Sequence, residues 1–324
     1  MTSVAVIAHS GKRLGGGLTE LRSTLRDRGI DDPLWSEVPK SKFAPDRVAK
    51  VLKQGADLVF AWGGDGLVQR CIDTMAGTGA VLAIVPAGTA NLLASNLGIP
   101  QDIGEAVEIG LHGSRRAFDI GSVNGERFAV MAGTGLDALM IRDADAGLKD
   151  RVGQIAYVWT GAKNLKNTRR KATIDVDGER WFSGKTTCVL VGNVGKVVGG
   201  LTVFEQARTD DGRLELGVVT AESLWQWART LGRTATGQAE RSPFVRTTTA
   251  KRIDVRLDRK APYELDGGDR KPRKKLRFEA EPAAITICVP ETSEDVTGSR
   301  PAEEAKGHDP KGHDKGQDPK GGTS

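Results

Sequence analysis

Short apolar runs alternate with amphipathic stretches over the first hundred residues of the chain. The runs have the length of buried strands, whereas Leu18, Leu21 and Leu25 recur at helical spacing in one of the stretches between them. Strands that alternate with helices predict a parallel sheet with right-handed crossovers. The four predicted strands are residues 3–8, 34–38, 56–61 and 80–85.

Three of the predicted strands end in loops that are rich in glycine or small polar residues. The carboxyl ends of the strands in an open α/β sheet lie at one edge, where ligands bind. Glycine allows close backbone approach, and N–H groups at a helix start attract anions. The three loops together therefore predict a phosphate-binding edge. They are Ser10-Gly11-Lys12, Gly63-Gly64-Asp65-Gly66-Leu67 and Gly88-Thr89-Ala90-Asn91.

Asp65 gives the second loop a chemical role that glycine alone does not. A carboxylate repels phosphate, so it suits a bridging Mg²⁺, a bound water or a polar group of a nucleotide. The alternative interpretation is a tight strand-to-helix turn with an incidental aspartate.

The pattern changes to hairpin turns and short strands near residue 115. Asn124-Gly125 and Asp177-Gly178 lie between β-like runs, which is a strong hairpin signal. Two helical stretches, at about residues 152–165 and 222–231, interrupt the strands. This half predicts an antiparallel sheet or β-sandwich, with the site in a cleft between the domains. Its further β-like runs are residues 188–191, 214–219, 253–257, 276–279 and 285–289.

We therefore expect three regions. Residues 1–115 form an α/β nucleotide-binding domain, residues 116–283 form a β-sandwich substrate domain, and residues 291–324 form a tail. The tail has no apolar pattern and contains degenerate Lys-Gly-His-Asp repeats, so disorder is predicted there.

The charge of the chain indicates the kind of partner it binds, and its cysteine content helps to indicate its location in the cell. The net charge is +5, but the tail holds five Lys/Arg against eight Asp/Glu, so the body is more basic than the whole. A basic body suits an anionic partner, such as ATP, an acidic lipid surface or nucleic acid. Three isolated cysteines, the lack of a secretory signal, and the lack of an apolar run of about 18 residues predict a cytoplasmic protein.

Two basic clusters, at residues 163–171 and 270–277, favour peripheral association with an anionic membrane. The alternative is a solvated, charged strand edge. The clusters have no interleaved aromatic residues, which argues against nucleic acid as a partner.

Four motifs, in this order along the chain, resemble the diacylglycerol kinase catalytic-domain family, which includes bacterial lipid kinases and sphingosine kinases. The first motif also occurs in NAD kinases and has a counterpart in phosphofructokinases, whereas the later motifs make the lipid-kinase resemblance more specific. The resemblance covers about residues 3–290. The motifs are Gly63-Gly64-Asp65-Gly66, Pro86-Ala87-Gly88-Thr89-Ala90-Asn91, Asp210-Asp211-Gly212-Arg213-Leu214-Glu215 and Asp266-Gly267.

The resemblance implies an ATP- and Mg²⁺-dependent kinase that phosphorylates a lipid hydroxyl, with diacylglycerol as the expected acceptor. It implies that residues 284–290 return to complete the first domain. It places a structural Mg²⁺ at Asp211, with carbonyls near Arg208 and Arg213. Its expected ATP-binding residues are Ser10, Gly11, Lys12, Gly63, Gly64, Asp65, Gly66, Leu67, Gly88, Thr89 and Asn91.

Asp266 matches the general base of that family, and Asp65 is the other residue assigned to catalysis. An aspartate of ordinary pKa, about 4, is ionised at neutral pH and can accept the proton of a lipid hydroxyl. On local sequence alone, Tyr263-Glu264-Leu265-Asp266-Gly267 also fits a plain hairpin turn.

The chain departs from the family pattern at three places. Leu67 stands where a threonine is usual, residues 68–70 lack the usual acidic residue, and Gly268 replaces another acid. Leu67 removes a hydroxyl that could bond phosphate. Two alternatives therefore stay open: an NAD-kinase-like enzyme, and a catalytically weak nucleotide- or lipid-binding regulator.

Overall fold

The computed structural model describes residues 3–135, 169–196 and 202–291, apart from positions 224, 227–228, 231–232 and 234–241. The described residues up to Pro290 belong to one compact unit. The helix expected at residues 152–165, the basic residues Lys163 and Lys166, and residues 292–324 of the predicted tail lie outside the described residues.

The first domain has a parallel sheet with strand order β2-β1-β3-β4. Each predicted strand is present within one or two residues of its expected bounds. The strands are β1 Val4–His9, β2 Leu34–Val38, β3 Leu58–Gly63 and β4 Val81–Pro86. The helices are α1 Gly17–Asp27, α2 Ala44–Lys53, α3 Asp65–Met75, α4 Leu92–Asn96 and α5 Ile103–His112.

Helix α5 was not predicted from the sequence, although a signal for it is present. The Asp102 side chain accepts the backbone N–H of Glu105 at 2.9 Å, which caps the helix at its first turn. An N-cap aspartate followed three residues later by glutamate resembles a capping box. The apolar positions of α5 then pack into the core of the first domain.

The second domain is antiparallel and sandwich-like, as predicted. Its strands pair in the order β12-β11-β10-β7-β13-β14. In addition, β5 pairs with β14 and β6 pairs with β5, while β8 pairs with β13 and β9 pairs with β8. The strands are β5 Ser114–Val123, β6 Glu126–Phe128, β7 Met131–Thr134, β8 Arg170–Val176, β9 Glu179–Thr186, β10 Cys188–Gly192, β11 Leu214–Val219, β12 Val245–Ala250, β13 Arg252–Leu265 and β14 Gly268–Val289.

Both predicted hairpins are confirmed. Asn124 and Gly125 have φ of 51° and 87° between β5 and β6, and Asp177 and Gly178 have φ of 50° and 95° between β8 and β9. Two successive residues with positive φ define the two-residue turn that matches the twist of antiparallel strands.

Strand β14 is the main departure from the predicted strands. The runs at residues 276–279 and 285–289 were predicted as separate strands, but they belong to one 22-residue strand. Its register with β5 shifts between Glu281 and Ile285, where Ala283 has φ of 48°. Beyond this bend β14 pairs in parallel with β4, so a single strand runs from the second domain into the sheet of the first.

Candidate active site

The loops after β3 and β4 touch each other backbone to backbone. A Cβ atom on Gly88 would lie 2.4 Å from the Cα of Gly64, and such a contact excludes any side chain there. The loops at Gly63–Gly66 and Gly88 therefore form one continuous backbone surface at the edge of the sheet.

Asn91 shapes the loop after β4. Its Oδ1 accepts the N–H of Gly88 at 2.9 Å, and its Nδ2 donates to the carbonyls of Gly88 at 2.9 Å and Pro86 at 3.2 Å. The residue is buried and has φ of 46°, which asparagine tolerates better than most residues. Its amide is thus engaged within its own loop, while Thr89 is exposed beside it.

Asp65 begins α3 and links the two loops. Its Oδ1 accepts the N–H of Leu93 at 3.3 Å, so the carboxylate lies against the start of α4. Burial raises the pKa of Asp65, and the nearby backbone N–H groups oppose that shift. A desolvated carboxylate in this position favours a cation as its partner.

The loop at Ser10–Lys12 leaves the same edge of the sheet. The register pairs Ala8 with Trp62, so β1 and β3 end side by side. Ser10 donates its N–H to the Val38 carbonyl at 3.0 Å, and the carbonyl of His9 accepts the N–H of Lys12 at 3.0 Å. These bonds hold the loop in place next to the loop after β3.

Leu67 is a core residue. Its side chain is 1% exposed and packs over Gly63, where a Cβ atom would lie 2.6 Å from Leu67 Cδ2. Its N–H donates to the Gly64 carbonyl at 2.9 Å. The side chain of Leu67 therefore supports the turn from inside the domain, packed against Gly63.

Asp266 occupies the turn between β13 and β14, with φ of 44° followed by 76° at Gly267. Its carboxylate accepts three backbone N–H groups, at 2.8 Å from Ala129 and at 2.9 Å from both Val130 and Met131. The N–H of Asp266 donates back to the Met131 carbonyl at 2.9 Å. Asp266 therefore forms part of the hairpin turn, and hydrogen bonds fix the direction of its carboxylate.

The pKa of Asp266 is higher than the sequence led us to expect. The pKa is raised to about 6, chiefly by burial, with a smaller rise from the charge of Asp65 and with the three N–H bonds acting in the opposite direction. The expected value of about 4 is wrong because it took no account of desolvation. The charge of Asp65 therefore acts on Asp266, although the two carboxylates belong to different domains.

Asn193 supports the backbone that holds Asp266. Its Nδ2 donates to the carbonyls of Ala129 at 3.1 Å and Asp119 at 2.8 Å, and its N–H donates to the Val130 carbonyl at 2.9 Å. The side chain is 2% exposed. Sequence reasoning missed this residue because its partners are more than sixty positions away in the chain.

The loop at Arg208–Arg213 is tied to the fold through Asp119, another residue that sequence reasoning missed. Buried Asp119 accepts the N–H of Gly212 at 2.5 Å and that of Ala283 at 2.7 Å. It therefore joins the loop to the bend in β14.

Asp211 offers one carboxylate in this loop, and its Oδ1 accepts the N–H of Arg213 at 2.9 Å. The guanidinium groups of Arg208 and Arg213 contact Asp210 and Thr249, respectively. A guanidinium group is positively charged and has no acceptor atom, so only the backbone carbonyls of these arginines could bind a cation. Among the described residues, no group of three or more His, Cys, Asp or Glu side chains is arranged to hold a metal. One carboxylate with carbonyls and water is a donor set that suits Mg²⁺.

Two family models together match most of the chain. The diacylglycerol kinase catalytic domain matches residues 3–123, and the YegS C-terminal NAD kinase beta sandwich-like domain matches residues 130–289.

Curated relatives agree with these matches. The chain is 31% identical over 215 residues to a diacylglycerol kinase of Bacillus subtilis, which covers 65% of this chain and 71% of the relative. Over 280 residues the chain is 28% identical to a protein of Klebsiella pneumoniae that is named as a YegS-like lipid kinase. This match covers 84% of this chain and 91% of the relative. A crystal structure of a diacylglycerol kinase from Bacillus anthracis has the same fold, with a TM-score of 0.71 at 22% identity over 89% of this chain and 96% of the other.

Proposed function

The chain belongs to the lipid kinase family that shares the diacylglycerol kinase catalytic domain, and from this premise we propose that it transfers the γ-phosphoryl group of ATP to diacylglycerol. Members of this family are phosphotransferases that act on a hydroxyl group. The observation that carries the proposal is the contact between the elements that hold the two aspartates. Helix α3, which begins at Asp65, bonds through Gln69 to the Arg127 carbonyl at 2.7 Å, and the nearby N–H groups of residues 129–131 hold Asp266.

Asp266 serves as the general base in this mechanism. As the lipid hydroxyl oxygen bonds to the γ-phosphorus and the bond to the β–γ bridging oxygen breaks, the hydroxyl proton passes to Asp266 and ADP departs. Three N–H donors fix the direction of the carboxylate. Phosphoryl transfer depends mainly on such positioning and on charge neutralisation.

The phosphates of ATP lie on the backbone surface formed by Gly63–Gly66 and Gly88, where N–H groups favour anions. Asp65 would hold a Mg²⁺ ion at these phosphates, and Asp211 with neighbouring carbonyls would hold a second, structural one. Bound Mg²⁺ neutralises the charge on the transferred phosphoryl group.

Transfer of radiolabel from γ-labelled ATP to a panel of acceptors tests the proposal. We expect labelled phosphatidic acid from diacylglycerol, and less product from a sphingoid base, phosphatidylglycerol, a glycolipid or NAD. Preferential labelling of another lipid would contradict the assigned acceptor, and labelling of NAD alone would indicate an NAD-kinase-like enzyme. Binding of ATP without any labelled product would indicate a regulator.

Exposed basic residues on β14 support peripheral binding to an anionic membrane. They follow the Asp266 turn directly, so they would hold that turn near lipid headgroups. Arg270, which the sequence grouped with them, turns instead to Glu126. In the part of the chain that the structure describes, no helix is long and apolar enough to cross a membrane. The exposed basic residues are Lys271, Arg273, Lys274, Lys275 and Arg277.

The double variant Lys271→Ala/Lys275→Ala is expected to weaken binding to anionic vesicles about 25-fold, because each basic residue near such a surface contributes about 1 kcal/mol. Flotation with vesicles that contain or lack phosphatidylserine measures the effect. The matched control is Lys50→Ala/Lys53→Ala, which removes two exposed lysines from α2. Equal recovery of all proteins with both kinds of vesicle would reject the membrane surface.

A further inference from the structure

A cluster of three charged side chains lies next to the Asp266 turn and joins the two domains. Glu126, at the start of β6, accepts two hydrogen bonds from the Arg270 guanidinium, one of them at 2.8 Å from Nε to Oε2. Arg70 of α3 approaches the same carboxylate, with Nη1 3.5 Å from Oε1. The exposed fractions of the three side chains are only 18% to 31%.

The outer members of the cluster belong to the elements that carry the two site aspartates. Arg70 lies in α3, which begins at Asp65, and Arg270 lies in the strand that begins just after Asp266. A helix and a strand transmit position along their length far better than a loop does. Glu126 therefore connects the element that carries Asp65 to the element that carries Asp266.

Neighbouring contacts strengthen the same connection. The Gln69 side chain donates to the Arg127 carbonyl at 2.7 Å, and Arg127 donates to the Asp73 carbonyl at 3.2 Å. The tip of the β5–β6 hairpin is thus bonded to one face of α3. None of these side chains belongs to the phosphate-binding loops.

We propose that Glu126 is a positioning residue that sets the separation between Asp65 and Asp266, an inference that rests on the proposed kinase function. Its carboxylate supplies negative charge in a chain that lacks an acid at residues 68–70 and at Gly268, two of the positions where the sequence departs from the family pattern. It also balances the positive charge of Arg270 beside the base.

The charge balance around Asp266 makes the proposal measurable. Asp65 faces the base from α3 and Arg270 faces it from β14, while Glu126 and Tyr263 act on Arg270. Removal of the Glu126 charge leaves Arg270, which lies beside Asp266, without its anionic partner. The ionised form of Asp266 is then favoured, so its pKa falls.

The decisive comparison is Glu126→Gln against Glu108→Gln. Glu108 forms a similar ion pair with Arg28 at 3.0 Å between α1 and α5, away from the cluster. We expect Glu126→Gln to lower kcat by about tenfold to a hundredfold, since small misplacement of reacting groups has effects of that size. The KM for ATP should stay within about twofold, and the acid limb of the kcat profile should move to lower pH. Glu126→Asp should keep the wild-type acid limb, because it keeps the charge.

A measurement without turnover separates this inference from the proposed function. Carbon-13 NMR titration of Asp266, assigned with Asp266→Asn, should give a lower pKa in Glu126→Gln than in wild type or Glu108→Gln. An inactive wild-type enzyme would overturn the proposed function and leave the titration to decide the role of Glu126. An unchanged pKa of Asp266, or a variant that loses thermal stability but keeps kcat and the acid limb, would overturn the positioning role.

Discussion

Replacement of Asp266 by asparagine is expected to lower kcat by about 10²- to 10⁴-fold, the usual contribution of a general base. Asparagine tolerates the φ of 44° at this turn and keeps Oδ1 to accept the N–H groups of Val130 and Met131, although the bond from Ala129 to Oδ2 is lost. It cannot take up the hydroxyl proton, however. The fold should therefore persist while transfer is lost, as judged by kcat together with thermal unfolding and circular dichroism.

The matched control for this variant is Asp177→Asn. Asp177 also occupies the first position of an Asp-Gly turn with positive φ, and its Oδ1 accepts the N–H groups of Lys251 at 2.9 Å and Arg252 at 2.8 Å. It lies at the β8–β9 hairpin, away from Asp65 and Asp266, and its Oδ2 accepts a hydrogen bond from the Arg213 guanidinium at 3.3 Å. Wild-type turnover in Asp266→Asn, or an equal loss in both variants, would contradict the assignment of the base.

The same pKa gives the reaction a pH dependence. Because burial raises the pKa of Asp266 to about 6, the base is protonated below that pH, and kcat should rise as pH increases through about 6. The folded-state pKa exceeds the unfolded one, so the contribution of Asp266 to stability is greatest below the unfolded pKa and is lost as pH rises through about 6. Asp266→Asn should abolish both dependences.

Asp65→Asn is expected to give the second largest loss, about 10²- to 10³-fold in kcat, a size typical of removing one electrostatic contact to the transition state. Asparagine keeps the oxygen that accepts the Leu93 N–H, so the loops should retain their shape. What disappears is the charge that would hold Mg²⁺ at the phosphates. A higher Mg²⁺ concentration should be needed for half-maximal activity.

A shift in the acid limb distinguishes this effect from loss of the fold. Asp65 raises the pKa of Asp266, so Asp65→Asn should move the acid limb of the remaining activity to lower pH. Asp27→Asn is the control, because exposed Asp27 is the last residue of α1, at the end of that helix opposite to the loops. Unchanged Mg²⁺ dependence together with an unchanged acid limb would show that Asp65 serves only as a turn residue.

Much of the fold could be predicted because its signals are local. The turns at Asn124-Gly125 and Asp177-Gly178 need two residues with positive φ, and the sequence shows that requirement directly. The close contact of Gly64 and Gly88 likewise follows from glycine loops at neighbouring strand ends.

The remaining features depend on contacts between distant parts of the chain. The donors to Asp266 are backbone N–H groups of residues 129–131. Any residue except proline provides such a group, so the amino-acid types at these positions do not reveal the contact. Glu126 and Arg270 are 144 positions apart, and in the sequence each resembles an ordinary surface charge. Desolvation of Asp266 also follows from packing, which explains why its pKa was misjudged.

The path of β14 also bears on the order in which the protein can be completed during synthesis. Strand β4 has β3 on one side and β14 on the other, and its partners in β14 are Thr286 and Ile287. A chain growing on the ribosome therefore carries β4 as an unpaired sheet edge until Thr286 and Ile287 have been translated. Such edges invite pairing with other chains. The sheet of the first domain is thus completed only when β14, which also belongs to the second domain, has been made.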